Sequence, residues 1–128
     1  MFHALPPSLE EEVRGQLKIL SQAKPPKASI NGLINLGRGV GYRVASDDLA
    51  GLRAVIAEHF HGSLTAQDSA GWRPHVTIQN KVRPADAKAL FERLQHDFQP
   101  RPLAINALAL HRYLGGPWEA LGRWAFRL

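Results

Sequence analysis

Arg73-Pro74-His75-Val76-Thr77-Ile78-Gln79-Asn80-Lys81-Val82 decides how the rest of this sequence is read. The stretch is one β-strand's worth of residues, and strand side chains alternate between two faces. Val76, Ile78 and Val82, with Asn80 the exception, form an apolar face for a core. His75, Thr77, Gln79 and Lys81 point the other way, an imidazole, a hydroxyl, an amide and an ammonium spaced about 7 Å apart along the strand. Such a row can receive a phosphate, with Arg73 and Lys81 as the cations that would neutralise it.

Outward from this strand the chain alternates two periodicities. Met1 to Leu5 reads as the tail end of a strand, stopped by Pro6-Pro7. Ser8 with Glu11 three residues on is a capping box, and Leu9, Val13, Leu17 and Leu20 give residues 8–22 one apolar helical face. Strands follow over Ser29 to Leu36 and Val40 to Val44, turned by Gly37-Arg38-Gly39. Ser46-Asp47-Asp48 caps a second helix with Leu49, Leu52, Ile56 and Phe60 on its face. Gly62 to Trp72 shows no periodicity and reads as a long loop, the kind that often carries function. After the His75 strand, Arg83-Pro84 opens a third helix with Ala87, Leu90, Leu94 and Phe98 inward. Strands over Leu103 to Arg112 and Trp118 to Phe126 close the chain, joined at Gly115-Gly116-Pro117.

Composition sets bounds on function. A chain of 128 residues with 45% hydrophobic content forms a single domain with a real core. Its net charge of +5, with no basic run, suits a small phosphate-bearing partner at least as well as a long duplex. The absence of cysteine excludes disulfides, thiolate nucleophiles and cysteine-ligated zinc. No apolar run approaches the roughly 18 residues of a membrane span, and Glu10-Glu11-Glu12 argues against a signal peptide, so a soluble, cytoplasmic protein is expected.

The two halves repeat. Laying Pro84 on Pro7, an offset of 77 residues, places Leu90 on Val13, Leu94 on Leu17 and Val82 on Leu5. Ile30-Asn31-Gly32-Leu33 matches Ile105-Asn106-Ala107-Leu108 at an offset of 75, and the glycine turns at 37 and 115 fall nearly in register. The chain therefore reads as two copies of one βαββ unit: an α+β protein with two pseudo-symmetric lobes, about 1–61 and 73–128, joined by a loop over 62–72. The antiparallel sheets would form a central cleft with the helices outside. The same offset sends the counterparts of His75 and Thr77 to positions just ahead of Met1. A first His-x-Thr segment is thus expected upstream, from a start codon set too far downstream, unless the chain is natively reduced. His3, aligned with Asn80, is expected to face the core side of its strand and not to replace the missing histidine.

Pro74-His75-Val76-Thr77-Ile78 inside a duplicated βαββ domain resembles the two-histidine (2H) phosphoesterases, the 2′-5′ RNA ligase-like superfamily. The resemblance spans the whole chain as architecture and about eight residues as motif; the departure is that one His-x-Thr is present where the family has two. It implies His75 as a general acid or base and Thr77 as hydrogen-bond donor to a non-bridging phosphate oxygen. It also implies chemistry at RNA ends or small cyclic-phosphate nucleotides, without metal or other cofactor: opening 2′,3′-cyclic phosphates, or cleaving or joining 2′-5′ linkages. Two imidazoles, which ordinarily titrate near ~6.5, can divide proton removal and donation at neutral pH. The rival expectations are a non-catalytic nucleotide or RNA-end binding module on the same fold, and a structural domain whose Thr77 face meets solvent.

Other residues receive lesser readings. Tyr42 and Tyr113 are candidates to stack a base, as aromatic side chains do for single strands, and Trp72 to cover the cleft. His59 and His61, two apart on a helix, point to different sides and are not expected to grip one metal ion. Gly37-Arg38-Gly39-Val40-Gly41 lacks the Gly-Lys-Ser/Thr of a phosphate loop and serves a hairpin turn. His96 and His111 read as structural, and an exposed strand edge at Phe2 to Leu5 is a candidate for self-association.

Overall fold

The computed structural model describes residues 1–113 and 115–127. Among them the chain is α+β, with helices α1 (Glu10–Leu20), α2 (Asp47–His59), α3 (Ala66–Ser69) and α4 (Pro84–His96). Its strands are β1 (Lys27–Asn35), β2 (Val40–Ala45), β3 (His75–Gln79), β4 (Arg101–Ala104), β5 (Ala107–Tyr113) and β6 (Trp118–Ala125). Four strands form one antiparallel sheet in the order β3-β2-β1-β4, and β5 and β6 form a second. The strands do not segregate by sequence half, since β3 and β4 join the sheet nucleated by the β1–β2 hairpin.

Two cores hold this arrangement. Val13 and Leu17 of α1, Ile56 and Phe60 from α2 and its end, and Leu108 and Phe126 from the second sheet form the first. Leu33, Val40 and Ala87 form the centre of the second, where α4 covers β1 and β2 through Leu90, Phe91 and Leu94, with Phe98 just past its end. Ala87 lets the helix approach closely, and Val40 beneath it has no exposed surface. Local signals set the helix ends: the Ser46 hydroxyl accepts from Leu49 N–H at 3.0 Å, a cap contributing about 1 kcal/mol. The β1–β2 turn uses Gly37 at φ 87° with its N–H donated to Asn35 Oδ1, as the glycine turn requires.

Several sequence expectations are corrected. Met1 to Leu5 forms no strand, and the Ser8–Glu11 capping box does not form. Pro7–Leu9 opens as a 3₁₀ turn instead, because Pro7 is suited to a first helical position, and α1 starts at Glu10 with three glutamates facing its dipole. The long loop contains α3, capped by Thr65, whose hydroxyl accepts from Asp68 N–H. The strand expected over Leu103 to Arg112 is two strands, broken at Ile105-Asn106, with β4 and β5 in different sheets. Val76 and Ile78, expected in a core, are 43% and 39% exposed, since β3 is an edge strand that α4 does not cover. Among the described residues no helix is long and apolar enough to cross a membrane.

Candidate functional site

β3 lies antiparallel to β2, and directly paired residues across such strands share a face. His75 pairs with Arg43, Val76 with Tyr42 and Thr77 with Gly41. On β1, Gly32 pairs with Arg43 and Ile34 with Gly41. The sheet therefore has one face of Leu33, Val40 and Tyr42, covered by α4, and an opposite open face. His75, Thr77, Arg43, Gly41 and Gly32 lie on the open one.

On this open face the His75 ring is held in one tautomer. Its Nδ1 lies 2.8 Å from the Arg73 carbonyl oxygen, and a carbonyl can only accept, so Nδ1 carries the hydrogen. Nε2 is thereby left as the nitrogen able to take or deliver a proton. The edge of the ring rests against Gly41, where a Cβ would come within 3.3 Å of Cδ2 and 3.1 Å of the Val76 carbonyl. Glycine at 41 thus gives the imidazole its place over β2, and the Pro74 carbonyl accepting from Val44 N–H at 3.0 Å anchors the strand's entry.

An open cavity of about 540 Å³ runs from His75 and Arg73 to Trp72, Phe2 and His3. Its far wall is tied by Asp68, a carboxylate only 5% exposed, which accepts from His3 N–H at 2.7 Å and Ala4 N–H at 3.2 Å. Arg53 braces the same wall, donating to the Met1 and Asp68 carbonyls and lying over the Phe2 and Trp72 rings at 4.7 and 5.8 Å. The Met1 amine is held below its ordinary 8.0, first by burial and then by the Arg53 charge. A second hollow, of about 480 Å³, lies at the start of α2, with Lys27, Asp47 and Asp48 in its wall.

The structure brings His75 and Thr77 together on one face and sets Arg73 at the cavity beside them. It separates the others. A bulge at Ile78 pairs Gln79 with Val40, on the α4 side, where Gln79 Oε1 is shut off from solvent with no hydrogen-bond partner among the described residues. Lys81 lies beyond the strand end in a left-handed turn at φ 58°, so the row of four outward side chains is a row of two. Tyr42 packs on the α4 side against Phe98, with the Arg101 guanidinium 4.7 Å over its ring. Tyr113, 59% exposed, stacks on Trp118 at the end of the second sheet. His3, expected on a core face, is exposed and borders the cavity, because residues 1–5 are not a strand and the alternation does not apply.

Sequence reasoning missed Arg43 and Asp68. Arg43 was legible only once β2 was known to neighbour β3. Asp68 had a local signal, Thr65 with an acidic residue three positions on, the pattern of a helix cap. Among the described residues no three His, Asp or Glu side chains group as metal ligands.

A family model described as the 2′-5′ RNA ligase superfamily matches residues 1–117. The chain belongs to this superfamily. The 2′-5′ RNA ligase superfamily match covers the four-stranded sheet and β5, ends at the residue before β6, and includes every residue of the His75 face. No curated protein matches, and no solved structure does. The superfamily assignment and the tautomer of His75 meet on one strand, β3.

Proposed function

We propose that this chain acts on RNA ends or small cyclic nucleotides as a 2H-type phosphoesterase, opening 2′,3′-cyclic phosphates or cleaving or joining 2′-5′ linkages. The observation that carries the reading is the His75 imidazole on an open sheet face beside Thr77, with its Nδ1–H committed to the Arg73 carbonyl and Nε2 left for proton transfer. In the hydrolytic direction, Nε2 takes a proton from water as its oxygen bonds to phosphorus. The phosphorus–oxygen bond to one ribose oxygen breaks, and a second group returns a proton to that oxygen, leaving a phosphomonoester. Thr77 donates to a non-bridging oxygen, and removing either proton-transfer group costs about 10²–10⁴-fold in rate. The second group, on this reading, is a counterpart of the His75-x-Thr77 pair, as the resemblance to the two-histidine phosphoesterases implies.

A non-catalytic binding module is the second reading, favoured by the single His-x-Thr in these 128 residues. Turnover of a nucleoside 2′,3′-cyclic phosphate, measured for this chain and for a form extended by the in-frame upstream codons, separates the two. Hydrolysis lost on His75→Ala supports the enzyme. Micromolar binding without turnover in both forms supports the module, and turnover retained in His75→Ala removes His75 from the chemistry.

A further inference from the structure

We propose that Arg43 is the cation that holds the substrate phosphate in this site, an inference that rests on the reading of the His75 face as a phosphate site. Arg43 is the cross-strand partner of His75, so the two backbones lie about 4.5–5.5 Å apart and the side chains leave the sheet on one face. Two neighbours on β1 fix where the guanidinium goes. Asn31 Oδ1 accepts from Arg43 Nε at 3.1 Å, and Gly32 offers bare backbone beneath it: a Cβ there would stand 2.5 Å from Nη2 and 3.1 Å from Cζ. Asn31 is the extra residue of a bulge between Ile30 and Gly32, which breaks the alternation of β1 at the point where Arg43 needs an acceptor.

Among the described residues, neither terminal nitrogen of Arg43 has a hydrogen-bond partner. Arg14, Arg83 and Arg112 each pair with a carboxylate, whereas among the described residues no carboxylate lies within ion-pair distance of Arg43. A solvent-exposed arginine with one hydrogen bond to an exposed asparagine contributes little to the fold. Its planar fork is instead suited to two oxygens of one phosphate. The guanidinium leans over β1 and the imidazole leans inward over Gly41 of β2. Strands two places apart in a sheet are separated by about 9.5 Å, so the inward lean leaves a gap that one phosphate fills with hydrogen bonds of about 2.8 Å on either side. Thr77, the cross-strand partner of Gly41, lies on the same sheet face as His75 and Arg43. Gln79, paired with Val40 on the α4 side, does not share this face.

The test is calorimetric titration of the 128-residue chain with adenosine 2′,3′-cyclic phosphate and with adenosine 3′-monophosphate, at two salt concentrations. Arg43→Gln removes the charge. Gly32→Ala keeps the charge but displaces the guanidinium, a side-chain end that can move, so the fold survives. Both are expected to weaken binding at least tenfold and more for the doubly charged monoester, to reduce its salt dependence, and to leave the melting temperature unchanged. Arg43→Lys should recover only part of the affinity, since the ammonium lacks the fork. Wild-type binding with Arg43→Gln within twofold of it would overturn the role of Arg43 while leaving the phosphate site standing. A wild-type chain that binds neither nucleotide would overturn the site reading itself, and this inference with it.

Discussion

Asp68 is the side chain whose removal tests how the cavity wall is built. Its carboxylate, nearly buried, accepts the N–H groups of His3 and Ala4 at 2.7 and 3.2 Å, and no other described side chain accepts from either. A hydrogen bond to a charged group contributes about 1.5–3 kcal/mol, the longer one at the low end. Detachment of residues 1–5 lets their amides hydrate, which returns part of that sum. Asp68→Ala should therefore destabilise the chain by roughly 2–4 kcal/mol. At about 3–5 °C per kcal/mol for a chain of this size, the melting temperature should fall by about 6–20 °C. Asp68→Asn, which keeps an acceptor but loses the charge, should cost about half as much. Arg53 binds the Asp68 and Met1 carbonyls, which neither substitution removes, so α3 should stay folded. Hydrogen exchange should then accelerate at residues 3–5 and not across 65–70. A denaturation curve for Asp68→Ala within about 0.5 kcal/mol of wild type, the range of an ordinary surface change, would refute this reasoning.

Three further outcomes follow from the same geometry. Gly41→Val should cost about 1–3 kcal/mol by crowding the Val76 carbonyl and Ile34, and should turn the His75 ring; unchanged His75 ring resonances would contradict its placement over Gly41. On the proposed reading, His3→Ala should leave turnover within about threefold, since His3 borders the cavity but does not lie on the sheet face that carries His75. A loss as large as that of His75→Ala would transfer the role to His3. Finally, Glu10 accepts from Arg112 at 2.7 Å and from Arg14 at 3.2 Å, and these bonds hold its carboxyl below the ordinary 4.5. A depressed carboxyl stabilises the fold above its unfolded value and ceases to as pH falls through its folded one. Glu10→Gln should thus melt below wild type at pH 7, with the gap closing below pH 4.5; a gap that persists at pH 3 would assign the effect to packing.

How much of this was legible in the sequence depended on the range of the interaction. Helices with a strong apolar face were readable, because Val13 and Leu17, or Leu49 and Ile56, depend only on spacing along one element. His75 and Thr77 were readable for the same reason. Gln79 and Lys81 were not, because a bulge at Ile78 shifts the alternation and the strand ends at Gln79, three residues before Val82, with Lys81 in a left-handed turn. Nothing in the stretch Ile78-Gln79-Asn80 announces the bulge; β2 imposes it, since Val40 and Gly41 pair with residues two apart on β3. Val76 looked like core for a related reason: period 2 tells which residues share a face, and the position of α4 over β1 and β2 decides whether that face is covered.

Sheet order gives the repeat its functional meaning. The first strand of the second unit, β3, pairs with β2 of the first unit's hairpin, so His75 is presented by a hairpin from the other half of the chain. In the repeat, β5–β6 is the counterpart of β1–β2, and the outer side of β6 is the counterpart of the edge that receives β3. Among the described residues no strand pairs there, and β6 is exposed along most of its length, with Trp118 59% exposed. Self-association through Phe2 to Leu5 has less support than this edge does, because Met1, Phe2 and Leu5 pack against the first core and the N–H groups of His3 and Ala4 are already taken by Asp68. The outer side of β6, an unpaired edge among the described residues, offers backbone on which another strand can pair.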